Sequence, residues 1–223
     1  MSSDEPLTRL VLVRHGESRA TVDRIVAGHD TCKGLTDRGR QQAEALRDRL
    51  ARTGELAGAT KLVASLMERA RETAEIIAPA LGGLDIDQRC EVCEIHPGPD
   101  ADGITWDEFE VSYGDMPKRG PYHPWSPGGE SWAEVNARVG AALTDLADEH
   151  EGETIVVACH GGVVESSIIT LGGLPITRPF DMFIDNTSLT EWQRRPVNGQ
   201  LRWKLVRLND AAHTIEAGLY DHP

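Results

Sequence analysis

Arg9-Leu10-Val11-Leu12-Val13 runs directly into Arg14-His15-Gly16-Glu17-Ser18. Five residues with an aliphatic and β-branched bias predict a buried strand. An arginine, a histidine and a glycine then stand where the strand must stop. In open α/β sheets the carboxyl ends of the strands are where ligands bind. A guanidinium offers a planar fork of donors to phosphate oxygens, and a neutral imidazole offers a lone pair to the phosphorus. Gly16 lets the backbone approach closely. Taken singly, Arg14 would pass for a strand-end surface charge and His15 for a satisfied, half-buried histidine.

Two later joints repeat the pattern. Residues 60–65 (Thr-Lys-Leu-Val-Ala-Ser) read as a short strand and lead into a helix from Leu66 to Ala78. Ala70, Ala74 and Ile77 recur there at helical spacing, which puts Arg69 in the first turn beside the strand ends. Glu153 to Cys159 reads as a buried strand, followed by His160-Gly161-Gly162 and a helix from Val163 to Leu171. The two glycines let the helix start lie close to a ligand, and its free N–H groups favour an anion. Strand followed by helix, repeated, predicts an α/β fold: a mostly parallel sheet with helices on both faces, whose strand ends converge along one edge. Arg14, His15, Arg69 and His160 at equivalent joints of an acidic chain need a common cause.

The chain has 223 residues and a formal charge of -13, enough for one domain (residues 1–223) with a sizeable core. Nucleic acids and anionic membranes need a broad cationic footprint that this composition lacks. A small anionic substrate answers to the local field of a pocket and stays compatible. No stretch approaches the roughly twenty apolar residues of a membrane span, and the start lacks the basic and apolar parts of a signal peptide, so a cytoplasmic location is expected. Cys32, Cys90, Cys93 and Cys159 are unevenly spread, which fits reduced thiols better than a disulfide framework. Cys90 and Cys93 form a C-x-x-C with His96 nearby, but no second pair and no thioredoxin-like flanks accompany it.

Residues 1–6 read as a polar arm, and Thr21 to Thr31, with Arg24, Gly28 and His29, as a loop wrapping the mouth of the site. Thr36 is an N-cap for a helix that Gly54 ends. Asp85 to Arg89 reads as a third strand. From Glu91 to Gly129 regularity fades, and only Thr105 to Tyr113 looks helical; Trp106, Phe109, Tyr113, Tyr122, His123 and Trp125 argue for an ordered cap loop over the site or for a small satellite core. A long helix follows to about His150. Thr187 to Arg195 and Leu201 to Leu208 read as a hairpin joined around Pro196-Asn198-Gly199, and the tail after Asn209 as a surface strap.

The ordered set Arg14-His15-Gly16-Glu17-Ser18, Gly34-Leu35-Thr36 with Gly39 and Gln42-Ala43, Ser65 through Arg69-Ala70 to Thr73-Ala74, Gly128-Gly129-Glu130-Ser131, His160-Gly161-Gly162, and Asn186 with Ser188 resembles the histidine phosphatase superfamily, which includes the cofactor-dependent phosphoglycerate mutases. The resemblance spans residues 9 to 190. It implies a phosphoglycerate mutase-like fold, a phosphohistidine on His15, and Arg14, Arg69 and His160 around the transferring phosphoryl group. It also implies a glutamate as acid: Glu94 matches best and Glu91 is the alternative. Thr21 stands where many relatives have Asn and supplies a hydroxyl to the phosphate; Arg24 is a candidate substrate contact or a rim charge, and Gly161 is a further candidate contact.

The chemistry of these residues agrees, because phosphoryl transfer is catalysed by positioning and fixed positive potential. Two guanidiniums and an imidazolium on His160 are expected to supply that potential without a metal or cofactor. Neighbouring positive groups favour a neutral, nucleophilic His15. The expected activity is a metal-independent phosphomonoesterase acting on a small phosphorylated metabolite. Mutase-type transfer and a non-catalytic phosphate-binding or interaction module are the alternatives, and a metal site on Cys90, Cys93 and His96 ranks last because the same segment supplies Glu94. The expected partner is the small phosphorylated substrate; a homodimer is compatible, whereas nucleic acid and membrane are not.

Overall fold

Alternate residues of the opening strand enter two different cores. In the computed structural model, which describes residues 7–114, 116–177, 180 and 182–220 without the side chains of residues 116 and 117, Leu10 and Leu12 pack on one face of a sheet and Val11 and Val13 on the other. The polar arm read at residues 1–6 lies outside the described residues. A continuous apolar run is what a strand buried on both faces requires.

This strand, β1 (Thr8–Arg14), pairs parallel with β4 (Thr154–Cys159) and antiparallel with β5 (Leu189–Val197). With β2 (Ala59–Ala64), β3 (Ile86–Gln88) and β6 (Gln200–Asp210) they form a six-stranded sheet in the order β3-β2-β4-β1-β5-β6, in which β5 alone opposes the rest. The fold is thus the expected α/β arrangement of a mostly parallel sheet between helices. The β5–β6 hairpin closes on Asn198 (φ 53°) and Gly199 (φ 77°), a two-residue turn with both residues left-handed. Pro196 lies inside β5, beyond Arg194, the last residue paired with β1, so its missing N–H interrupts no bond to that strand.

One face of the sheet is covered by α2 (Asp37–Thr53) and α3 (Glu68–Ile77), the other by α6 (Trp132–Glu149) and α7 (Gly161–Thr170). The Thr36 hydroxyl accepts from Gly39 N at 2.9 Å to start α2, and Gly54 ends it at φ 65°. Ser131 and Glu134 form a reciprocal capping box at the start of α6.

The short helices α1 (Arg19–Val22) and α5 (Met116–Arg119) carry no strong sequence signal. The tail departs from a strap: it forms a helix, α8 (Ala212–Glu216), and Leu219 O accepts from Arg38 Nη2 (3.1 Å) and Gln42 Nε2 (3.3 Å) on α2. Between α3 and α6 the aromatic segment is both cap and satellite core. Phe109 of α4 (Trp106–Tyr113) is buried with Val26 and Ala101, and the Trp106 and Trp125 rings each lie 5.6 Å from it. Backbone bonds from Gly103 N to Val26 O (2.8 Å), Val26 N to Ile104 O (2.9 Å) and Trp106 N to Arg24 O (2.9 Å) stitch this segment to the loop after β1.

Candidate active site

The backbone at the end of β1 is clamped before its side chains do anything. His15 N donates to Cys159 O (2.9 Å), Thr187 N to Arg14 O (3.0 Å) and Asn186 Nδ2 to His15 O (2.9 Å). A Cβ on Gly16 would meet Gly39 O at 2.3 Å, so only glycine lets the loop pass the start of α2 this closely. Gly16 N donates to Thr73 Oγ1 at 3.1 Å, and Glu17 N to Gln42 Oε1 at 2.8 Å. Glu17 accepts from the Thr36 hydroxyl (2.6 Å) and faces Arg38, so it braces the loop.

His15 is 4% exposed, and its Nδ1 lies 2.7 Å from Gly16 O. A carbonyl only accepts, so Nδ1 carries the proton and Nε2 holds the lone pair. Arg69 Nε donates to that lone pair at 3.2 Å. Burial, then the Arg69 and Arg14 charges, push the His15 pKa well below its ordinary value, which leaves the ring neutral.

His160, fully buried, stands beside it with ring centroids 5.1 Å apart. Ser65 Oγ accepts from Met67 N (3.1 Å) and donates to Cys93 Sγ (3.2 Å), so its remaining acceptor position takes the His160 Nε2–H at 2.8 Å. Burial, then Arg69, His15 and Arg14, push the His160 pKa well below its ordinary value. In the free site both histidines are therefore neutral and the fixed positive potential comes from Arg14 and Arg69, so the expected imidazolium is corrected to a state that only a bound anion would favour. The Arg14 guanidinium donates to Ile184 O, while Arg14 Nε and His160 Nδ1 are buried without hydrogen-bond partners. Buried polar atoms left in this way ask for a partner, and a phosphoryl group suits both: its oxygens accept from Arg14, and its charge favours a protonated His160 Nδ1 that donates.

Glu94 reaches the same place from the segment after β3. Its carboxylate accepts from Gly162 N and Ile95 N, both at 3.2 Å. The segment is held by Arg138 of α6, whose Nη1 donates to the carbonyls of Glu91 (2.9 Å) and Cys93 (3.1 Å), and Glu130 fixes Arg138 through two bonds of 2.8 and 2.7 Å. Glu91 itself is exposed and outside the cavity.

These groups face a cavity of about 700 Å³. Arg14, His15, Arg69, Glu94 and Thr21 line it, with Trp106, His123 and Trp125 from the cap segment; His160 lies buried against His15. The Thr21 hydroxyl meets Ser18 Oγ at 2.9 Å. Two candidate contacts are displaced. Arg24 is 71% exposed, pairs with Asp107 at 3.1 Å and does not line the cavity, because the loop bonds Trp106 N through the Arg24 carbonyl and turns the side chain outward. Gly162 rather than Gly161 faces the cavity, because α7 starts at Gly161 and turns the next residue toward Glu94; a Cβ on Gly161 would only touch Arg14 Nε at 3.8 Å. Glu165 also lines the cavity; the one sequence signal for it is its spacing three residues after Gly162, which puts it on the same helical face.

The family model for the histidine phosphatase superfamily (branch 1) matches residues 10–211. Phosphoglycerate mutase-like protein 4 of Arabidopsis thaliana is 31% identical over 97% of this chain and 91% of its own length. A mycobacterial glucosyl-3-phosphoglycerate phosphatase, solved as a complex with VO3, superposes with a TM-score of 0.76 at 25% identity, covering 91% of this chain and 99% of that one. The phosphoglycerate mutase of Bacillus anthracis shares the fold, with a TM-score of 0.77 at 18% identity over 96% of this chain and 98% of its own.

Proposed function

We propose that this chain, which belongs to the histidine phosphatase superfamily (branch 1), hydrolyses a small phosphomonoester through a phosphohistidine on His15. The observation that carries the reading is the fixed tautomer of His15, whose Nε2 lone pair stands at a guanidinium inside a cavity.

In this reading Arg14 and Arg69 bind the equatorial oxygens, where charge collects in the transition state. Arg69 exchanges its bond to Nε2 for one to the phosphoryl group. Nε2 attacks phosphorus in line, the P–O ester bond breaks, and protonated Glu94 gives its proton to the departing alkoxide. Water then attacks the phosphohistidine and passes a proton to the Glu94 carboxylate. The P–N bond breaks and inorganic phosphate leaves. No step requires a metal, because the two arginines supply the charge.

The Trp106 and Trp125 rings on the wall favour a sugar phosphate or another polyhydroxylated substrate, since such rings stack on ring faces. Transfer to a second hydroxyl is the other reading, favoured by the mutase-like relative. Hydrolysis is favoured by the likeness to the mycobacterial phosphatase. The uneven spread of the four cysteines supports action in the cytoplasm, and no described helix is long and apolar enough to cross a membrane.

The test supplies an aryl phosphate, a panel of sugar phosphates and 3-phosphoglycerate to wild type and His15→Ala. Phosphate release by wild type alone is expected. Isomerised phosphoglycerate without free phosphate would replace hydrolysis by transfer. Turnover by the alanine variant would remove His15 from the mechanism.

A further inference from the structure

We infer that His29, Cys90, Cys93 and His96 form a tetrahedral zinc site that ties the loop carrying Glu94 to the loop at the mouth of the cavity. The inference does not rest on the proposed reaction and stands equally for a phosphatase, a mutase or a binding module.

The sequence offers a C-x-x-C and one nearby histidine, and folding brings a fourth group from a distant loop. One ligand atom each from His29, Cys90 and Cys93 lies within 4.8 Å of the other two. His96 Nε2 lies 3.7 Å from Cys90 Sγ. Zinc bonds of about 2.3 Å to sulfur and 2.0–2.1 Å to nitrogen put tetrahedral ligand atoms about 3.3–3.8 Å apart, about 3.6 Å for a sulfur and a nitrogen, so the Cys90–His96 pair at 3.7 Å already has nearly the spacing of two ligands on one ion. Side-chain rotation closes the remaining separations, which reach up to 4.8 Å within the His29–Cys90–Cys93 group. Two thiolates and two imidazoles are the donor set that selects zinc.

The surroundings are those of a ligand cluster. His96 Nδ1, the nitrogen turned away from Cys90, faces Glu130 Oε2 at 3.7 Å, the carboxylate position that orients a metal-bound histidine. Arg138 holds Glu130 and donates to the Cys90, Glu91 and Cys93 carbonyls, which fixes the turn carrying both sulfurs. The Ser65 hydroxyl donates to Cys93 Sγ, and such a bond supports a thiolate. On the other side, the Asp102 carboxylate accepts from Gly28 N (2.8 Å) and Asp30 N (3.1 Å), bracketing His29. His29 is exposed, which leaves a path for the ion.

Binding releases two protons, one from each thiol, and two thiolates neutralise the dication. Four protein ligands leave no open position, so the ion holds structure and does not activate water. Its effect reaches the catalytic floor along two short routes. Glu94 follows Cys93 in the chain, and Ser65 joins Cys93 to His160.

The test is elemental analysis of protein purified in reducing buffer without chelator, then dialysed. One zinc per chain is expected in wild type and in Cys32→Ser, which keeps all four ligands. Less than a tenth is expected in Cys90→Ser/Cys93→Ser, with clear loss in His29→Ala. Cobalt in place of zinc is expected to give the visible bands of a tetrahedral thiolate complex in wild type and none in the double variant. Should the double variant fail to fold, His29→Ala decides, because that side chain is exposed. Wild type that retains less than a tenth of an equivalent after incubation with excess zinc, or His29→Ala that retains a full equivalent, overturns the site.

Discussion

Replacing Gly162 by alanine isolates the position of Glu94 from every other part of the site. The new Cβ would stand 2.2 Å from Glu94 Oε1, and non-bonded contact requires about 3.2 Å, so the carboxylate must retreat by about 1 Å. Gly162 lies in α7 with ordinary helical backbone, where alanine is favoured by up to about 1 kcal/mol, so the fold should hold. A misplacement of about 1 Å costs on the order of 10²-fold in rate, within the 10²–10⁴ that a general acid contributes. The expected loss in kcat/KM is therefore about 100-fold, or about 2.7 kcal/mol, for an alkyl phosphate. An aryl phosphate, whose leaving group needs no proton, should lose only a few-fold. The assay compares the two substrate classes by kcat/KM, which covers events up to leaving-group departure and excludes the later attack of water. Equal losses on both, or no loss on the alkyl ester, would refute the assignment of Glu94 as acid.

Three further perturbations follow from the same geometry. The pKa values of His15 and His160 are pushed well below the ordinary value and that of His213 to about 4, so in acid the unfolded chain binds protons that the folded one refuses. Stability is then complete above about pH 6.5 and is lost as pH falls, each histidine adding a slope of up to about 1.4 kcal/mol per pH unit; urea unfolding at pH 5 and 7 checks this, and equal midpoints would contradict it. Arg24→Ala removes only an exposed ion pair, so kcat/KM should stay within two-fold, and a ten-fold fall would restore Arg24 as a substrate contact. Ser65→Ala leaves the buried His160 Nε2–H without its acceptor and should cost about 1–3 kcal/mol in denaturant unfolding, whereas an unchanged midpoint would dissolve the Ser65–His160 link.

The joints after β1, β2 and β4 were legible because each combines an apolar run, a glycine or small-residue turn and a helical repeat, and such local patterns survive folding. Arg14, His15, Arg69 and Glu94 accordingly meet at one cavity, with His160 against His15. The choice between substrate contact and rim charge for Arg24 was not legible, because its direction depends on the loop at 24–27 pairing with residues 103–106, a contact between remote segments with no periodic signal. The neutral state of His160 was missed because composition places charges in the chain, not their distances or the burial around them. The choice of Gly162 over Gly161 turns on where α7 begins, and a boundary is the least determined feature of a helix. His29 gave no sign of its place near Cys90 and Cys93 because that cluster exists only in three dimensions. The tail was read as a strap because Ala212–Glu216 is too short to show a helical repeat, although the residues it meets on α2 lie in the clear pattern after Thr36.

The proposed covalent phosphoryl group on His15 is tested by trapping. Wild-type protein mixed with a small phosphomonoester for one turnover and quenched in alkali, where phosphohistidine survives, should yield a phosphorylated peptide with the label on His15 by tandem mass spectrometry. His15→Ala should yield none. Full turnover with no labelled histidine, or with the label on another residue, would contradict the account.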